Sequence, residues 1–89
     1  MALHKLRAAE RRRCYLSARF IFNGGRNSLD AIVRDVSSAG ARVEAEDLST
    51  VPLEFDLMIG SFTGERSMRR ARQIWRDNGV MGVAFVAAA

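Results

Sequence analysis

Short apolar runs, broken by turn residues about every ten positions, constrain this chain more than any other feature. Leu16 to Phe22 reads as a strand closed by Asn23-Gly24-Gly25, residues that accept the left-handed backbone a tight hairpin needs. Leu29 to Val36 is a second strand, rich in β-branched residues. Ala41 to Ala45 is a third, alternating Ala41, Val43 and Ala45 with Arg42 and Glu44. Asp47 to Pro52 reads as a loop. The fourth strand has the clearest period of two, with Leu53, Phe55, Leu57 and Ile59 on one face and Glu54 and Asp56 on the other. Gly60 to Gly64 turns the chain into a fifth strand, Arg66 to Arg76, and Asp77-Asn78-Gly79 is a second hairpin turn. Val80 to Val86 is the sixth, where Gly82 admits a bend or a close neighbour.

Six short strands with no helix between them predict an all-β fold. With 89 residues there is chain for one small core, and closing the sheet removes edges that so small a domain has nothing to cover with. The expectation is a six-stranded antiparallel β-barrel over residues 14–89, with Trp75 and Phe85 in its core. Residues 1–13 break the pattern. His4, Lys5, Arg7, Glu10 and Arg11-Arg12-Arg13 show no alternation, so they read as a flexible Arg-rich N-terminal arm, in which a short helix over Ala2–Arg12 is also compatible with the composition.

Catalysis finds little support. The one His and the one Cys lie in or beside the arm, no carboxylate is placed to orient His4, and Ser37 and Ser38 have no base within reach. There is no metal-ligand spacing and no glycine-rich phosphate loop before a helix, so neither a metal nor a cofactor is expected. Cys14 has no partner for a disulfide and reads as an inert, small apolar residue. No run approaches the length of a membrane span and the first residues lack a secretory pattern, so the expected location is the cytoplasm.

Binding is the better class. The net charge is +4, and every basic residue but Lys5 is arginine. Guanidinium offers a flat fork that grips phosphate in two places and stacks on planar rings, which an ammonium does not. Arg pairs at i, i+4 occur as Arg7/Arg11, Arg66/Arg70 and Arg72/Arg76. The last two lie in a strand, on one face but roughly 13 Å apart by the strand rise. The first lies in the arm, where both forks can wrap one anion. A second anchor follows strand two: Asp35-Val36-Ser37-Ser38-Ala39-Gly40 is turn chemistry, with side chains that fold back on backbone N–H groups and a Gly for angles a Cβ forbids.

Arg7-x-x-x-Arg11 followed by Asp35-x-Ser37-x-x-Gly40 resembles the two-part signature of PilZ domains, bacterial receptors for cyclic di-GMP. Ala41-Arg42-Val43, Gln73-Ile74-Trp75-Arg76 and Gly82-Val83-Ala84-Phe85 agree with it, so the similarity spans about Arg7 to Val86. PilZ domains are six-stranded barrels. The resemblance implies that Arg7 and Arg11 hold the two phosphates or stack on guanine, and that Asp35 accepts from the guanine N1–H and N2–H edge. It further implies a hydroxyl contact from Ser37 and close backbone approach at Gly40, with Arg12, Arg13 and Arg42 as outer contributors. The arm would fold over the ligand and signal to an unidentified downstream protein. Two features depart from the family pattern: Glu10 sits beside Arg11, and Arg11 to Cys14 is unusually basic. The alternatives are an Arg-rich barrel that binds nucleic acid or acidic membrane non-specifically, and a ligand-free PilZ-like module working through protein contacts.

Overall fold

The computed structural model describes residues 12–61 and 63–86, with Arg12 entering by its backbone alone. Residues 1–11, Arg7 and Arg11 among them, and the closing Ala87-Ala88-Ala89 lie outside the described residues. Six strands run in chain order: β1 Arg12–Phe22, β2 Asn27–Val36, β3 Gly40–Glu44, β4 Glu54–Gly60, β5 Arg66–Asp77 and β6 Val80–Phe85. They close as β1-β2-β3-β6-β5-β4, every pairing antiparallel. The described residues contain no helix long and apolar enough to cross a membrane.

The interior follows the period of two. Ala18, Phe20 and Phe22 of β1 meet Ala31 and Val33 of β2, Val43 of β3, Phe55, Leu57 and Ile59 of β4, Ala71 of β5, and Met81 and Val83 of β6. Phe20 and Phe55, both fully buried, pack edge to face with ring centroids 4.9 Å apart. Two tight turns match their residues. Asn78 (φ 44°) and Gly79 (φ 80°) are both left-handed, the requirement of a two-residue type I′ turn between β5 and β6. Asn23, Gly24 and Gly25 likewise share positive φ at the β1–β2 connection.

Several expectations need correction. Strand β1 begins at Arg12 instead of Leu16, so Arg12 and Arg13, assigned to the arm, are strand residues opposite Val36 and Asp35. Leu53 does not join the inward row of β4. It lies before the strand, 67% exposed, where its carbonyl accepts the Gln73 N–H. Trp75 is not core either: it is 45% exposed on the outside of the barrel. Phe85 is partly buried against the core, with the Arg69 guanidinium 4.2 Å from its ring centre.

The 45–53 connection carries the chain from β3 to β4, which are not neighbours, across one end of the barrel. It is more than a loop. Leu48 and Val51 are buried and plug that end. Arg76 fastens the plug, donating from Nη1 to the Leu48 carbonyl (2.6 Å) and from Nη2 to the Val51 carbonyl (3.0 Å). It reaches them because β5 gains one residue between Gln73 and Trp75. The extra residue reverses the alternation, so Arg76 hydrogen-bonds Gln73 at 2.8 Å and does not share a face with Arg72.

Candidate functional site

Three register shifts cluster on one side of the barrel: in β1 between Arg13 and Leu16, in β2 between Val33 and Asp35, and in β5 between Gln73 and Trp75. Each is one extra residue in one strand, which bends that strand and re-aims its next side chain. Asp35 shows the effect. Buried Ala31 and Val33 would carry it inward at a period of two, yet the shift sets it opposite Arg42, whose neighbour Val43 is the inward residue.

The result is one continuous cross-strand row. Arg13 stands opposite Asp35, Asp35 opposite Arg42, Arg42 opposite Gly82 and Gly82 opposite Trp75. Five strands thus contribute two cations, an acid, a gap and an indole. The gap is what seats the indole. A Cβ on Gly82 would collide with Nε1, Cε2 and Cδ1 of Trp75, so the ring lies directly on the bare β6 backbone and buries Gly82. Beside it opens a shallow cleft of about 280 Å³, lined by Asp35, Arg42, Gly82 and Trp75 of this row, by the β2–β3 turn and by Ile74, Val83 and Ala84.

Asp35 is 7% exposed, and Arg42 Nε donates to its Oδ2 at 2.6 Å. Arg42, expected as an outer contributor, is therefore in direct contact with the acid. Ser37 holds its own turn: its Oγ accepts the N–H groups of Ala39 (3.1 Å) and Gly40 (3.2 Å), while its N–H donates to the Gly40 carbonyl at 2.8 Å. Gly40 is required for a reason other than backbone angles, since its φ is not positive. A Cβ there would strike the Val83 carbonyl of β6. Ser37 and Gly40 thus shape the wall of the cleft, locking the turn against β6, where Phe85 N–H also donates to the Ala39 carbonyl at 2.8 Å.

Among the predicted residues, Asp35, Ser37, Gly40 and Arg42 line this cleft, Arg12 and Arg13 pair in the ladder with Val36 and Asp35 beside it, and Arg7 and Arg11 lie outside the described residues. Sequence reasoning missed Trp75 and Ile74. A signal existed: β5 carries one buried residue, Ala71, amid arginines, so an aromatic there has little core to join. Other arginines serve the barrel itself. Arg34 grips Glu44 through both carboxylate oxygens (3.2 and 3.3 Å) and lies 5.3 Å from the Tyr15 ring centre, Arg19 pairs with Asp30, and Arg70 faces Asp56 and Glu54. Cys14, whose Sγ faces the Val33 carbonyl at 3.5 Å, has its thiol pKa raised by burial first and then by the Asp35 carboxylate, against a smaller opposite effect of Arg34.

Comparison with family models and with curated proteins returns no match. Comparison with solved structures does. The crystal structure of the PilZ domain of CeSA from a cellulose synthesizing bacterium matches with a TM-score of 0.70 at 18% identity, covering 90% of this chain and 83% of that one. The six-stranded closed barrel described above is thus the PilZ-like fold.

Proposed function

We propose that the chain is a receptor for cyclic di-GMP, bound at the Asp35–Arg42–Trp75 cleft beneath the N-terminal arm. The observation that carries the reading is the cross-strand row: a buried carboxylate held by one arginine, with a second arginine beside it and an indole seated on a glycine. A guanine dinucleotide presents the complementary set. Its guanine edge offers paired N–H donors to Asp35, its phosphates suit guanidinium forks, and its purine face suits the indole. The PilZ-like fold and the Arg7-x-x-x-Arg11 spacing support the same ligand.

Cleft size explains why an arm is needed. At about 280 Å³ the cleft lies below the range that encloses a drug-sized ligand, so the barrel wall alone leaves most of a dinucleotide in water. Arg7 and Arg11 would supply the missing side, closing over the phosphates from above. In this reading the protein binds and does not catalyse, its output is the covered surface that a partner protein senses, and its setting is the bacterial cytoplasm.

Calorimetric titration of cyclic di-GMP tests it. Replacing Arg7, Arg11 or Asp35 by Ala is expected to weaken binding by about 1.5–3 kcal/mol each, the range for hydrogen bonds to charged groups. Unchanged affinity in all three variants contradicts the proposal. Non-specific polyanion binding predicts the reverse pattern: a steep loss with added salt and indifference to Asp35.

A further inference from the structure

The strand order β1-β2-β3-β6-β5-β4 closes on itself, so the junction of β4 with β1 lies across the barrel from the β3–β6 junction that bears the cleft. On that far wall a second cleft, of about 460 Å³, is larger than the first. Outward residues, alternating with the buried ones, build it. One row crosses four strands as Ile32, Ser17, Gly60 and Arg66. The next crosses them as Asp30, Arg19, Met58 and Met68. The two central residues of the first row are the smallest, and they make the hollow. A Cβ on Gly60 would come within 3.0 Å of Ser17 Oγ, so β1 and β4 close tightly beneath it. Half-buried Ile32 and Met58 line its sides, and Met68, 53% exposed, stands opposite Met58 at its edge. Arg66 lines the same hollow. Among the described residues no carboxylate pairs with it, whereas Arg19 is held by Asp30 at 3.0 Å.

We infer that this wall docks an acidic amphipathic segment of another protein, which sets an apolar side chain into the hollow and a carboxylate on Arg66. The inference stands apart from the receptor reading, because the two clefts share no residue. Charge selects the partner. A cation with no carboxylate beside an apolar hollow is the complement of a carboxylate beside an apolar side chain, and a net charge of +4 steers an acidic surface toward it. Composition agrees: Met and Arg are enriched where proteins meet, Met because its flexible thioether adapts to what it touches. Other occupants fit less well. A track for nucleic-acid phosphates is broken by Asp30, Glu54 and Asp56, which stand among the arginines of this wall. A bilayer takes up a protruding apolar face, not a hollow. A second copy would bring another net +4 into the contact. Because the clefts face apart, a partner held here stays attached whether or not the first cleft is filled.

Two synthetic helical peptides test the docking on the intact chain: one with Leu on one face and Glu on the other, and its counterpart with Lys in place of Glu. With isotope-labelled protein, the acidic peptide should shift the amides of Ser17, Ile32, Met58, Arg66 and Met68 saturably. It should bind about tenfold tighter than the Lys peptide, since like charges across the contact repel. Arg66→Glu and Met68→Glu, both at exposed positions outside the core, should each weaken the acidic peptide by about fivefold while the urea midpoint stays that of the wild type. Saturating cyclic di-GMP should alter peptide affinity by no more than about twofold, the mark of uncoupled sites. Amide shifts that fall on the Asp35–Trp75 cleft or nowhere, equal binding of the Lys peptide, or indifference to both variants each overturns the docking and leaves the receptor standing. Sedimentation that shows chains pairing through this wall, with the pairing lost in Met68→Glu, overturns it in favour of a second copy. Failure of the chain to bind cyclic di-GMP removes the receptor reading and leaves the docking.

Discussion

Gly82 and Trp75 are the smallest unit on which the site depends. The indole occupies the space where any other residue at position 82 would place its Cβ, so Gly82→Ala must push the ring away or bend β6. Overpacking of this kind costs about 1–3 kcal/mol. The expected outcome is a lowered urea midpoint together with a shifted emission of Trp75, the one tryptophan of the chain; unchanged emission counts against the seating. Cys14 gives a second residue-scale prediction. Its thiol pKa is raised in the folded state, so the protonated form is favoured there. Its contribution to stability is therefore fully present below the ordinary thiol pKa and is lost as pH rises through the folded value. Alkylation by iodoacetamide should show a pH midpoint above that of the same reaction in denaturant. A midpoint at or below the denatured one contradicts the assignment. Arg42 illustrates the same scale differently: a side chain opposite inward-facing Val43 on a half-buried strand was legible as outward, but its contact with Asp35 was not, because an unmarked shift in β2 creates it.

At the level of strands and turns, what was readable had a local cause. The Asn78-Gly79 turn declares itself because few other residues accept both angles, and β4 because Phe55, Leu57 and Ile59 alternate with charges. The bulges left no such mark. One extra residue changes neither composition nor length noticeably, yet it sets Asp35 opposite Arg42, turns Trp75 out and brings Arg76 to the plug. That is why Trp75 reads as core from sequence and sits outside in the fold. The 45–53 connection was legible as irregular chain, not as a plug, since only closure of the barrel creates the end that Leu48 and Val51 fill. Arg76→Gln should release that plug. Two charge-assisted bonds to carbonyls are lost and the shorter side chain leaves them unmet, so a loss of about 1–3 kcal/mol in urea unfolding is expected. A loss within about 0.5 kcal/mol, the usual surface range, shows the plug to be held by its apolar residues alone.

For the molecule as a whole, fold and site have different warrants. The barrel is established by its closed strand order and by its likeness to a PilZ-domain structure, while the ligand is inferred from the row of side chains across its wall. Their connection is physical: a closed barrel holds five strands in fixed register, and that register alone brings Arg13, Asp35, Arg42, Gly82 and Trp75 into line. Titration of cyclic di-GMP into the intact chain, followed by Trp75 emission, puts the central claim to the most direct test. The account predicts saturable quenching at one cleft per chain, lost in Asp35→Ala and weakened by added salt far less steeply than polyanion binding. Emission that stays constant while the protein remains folded, or that responds equally to any polyanion and ignores Asp35→Ala, contradicts it.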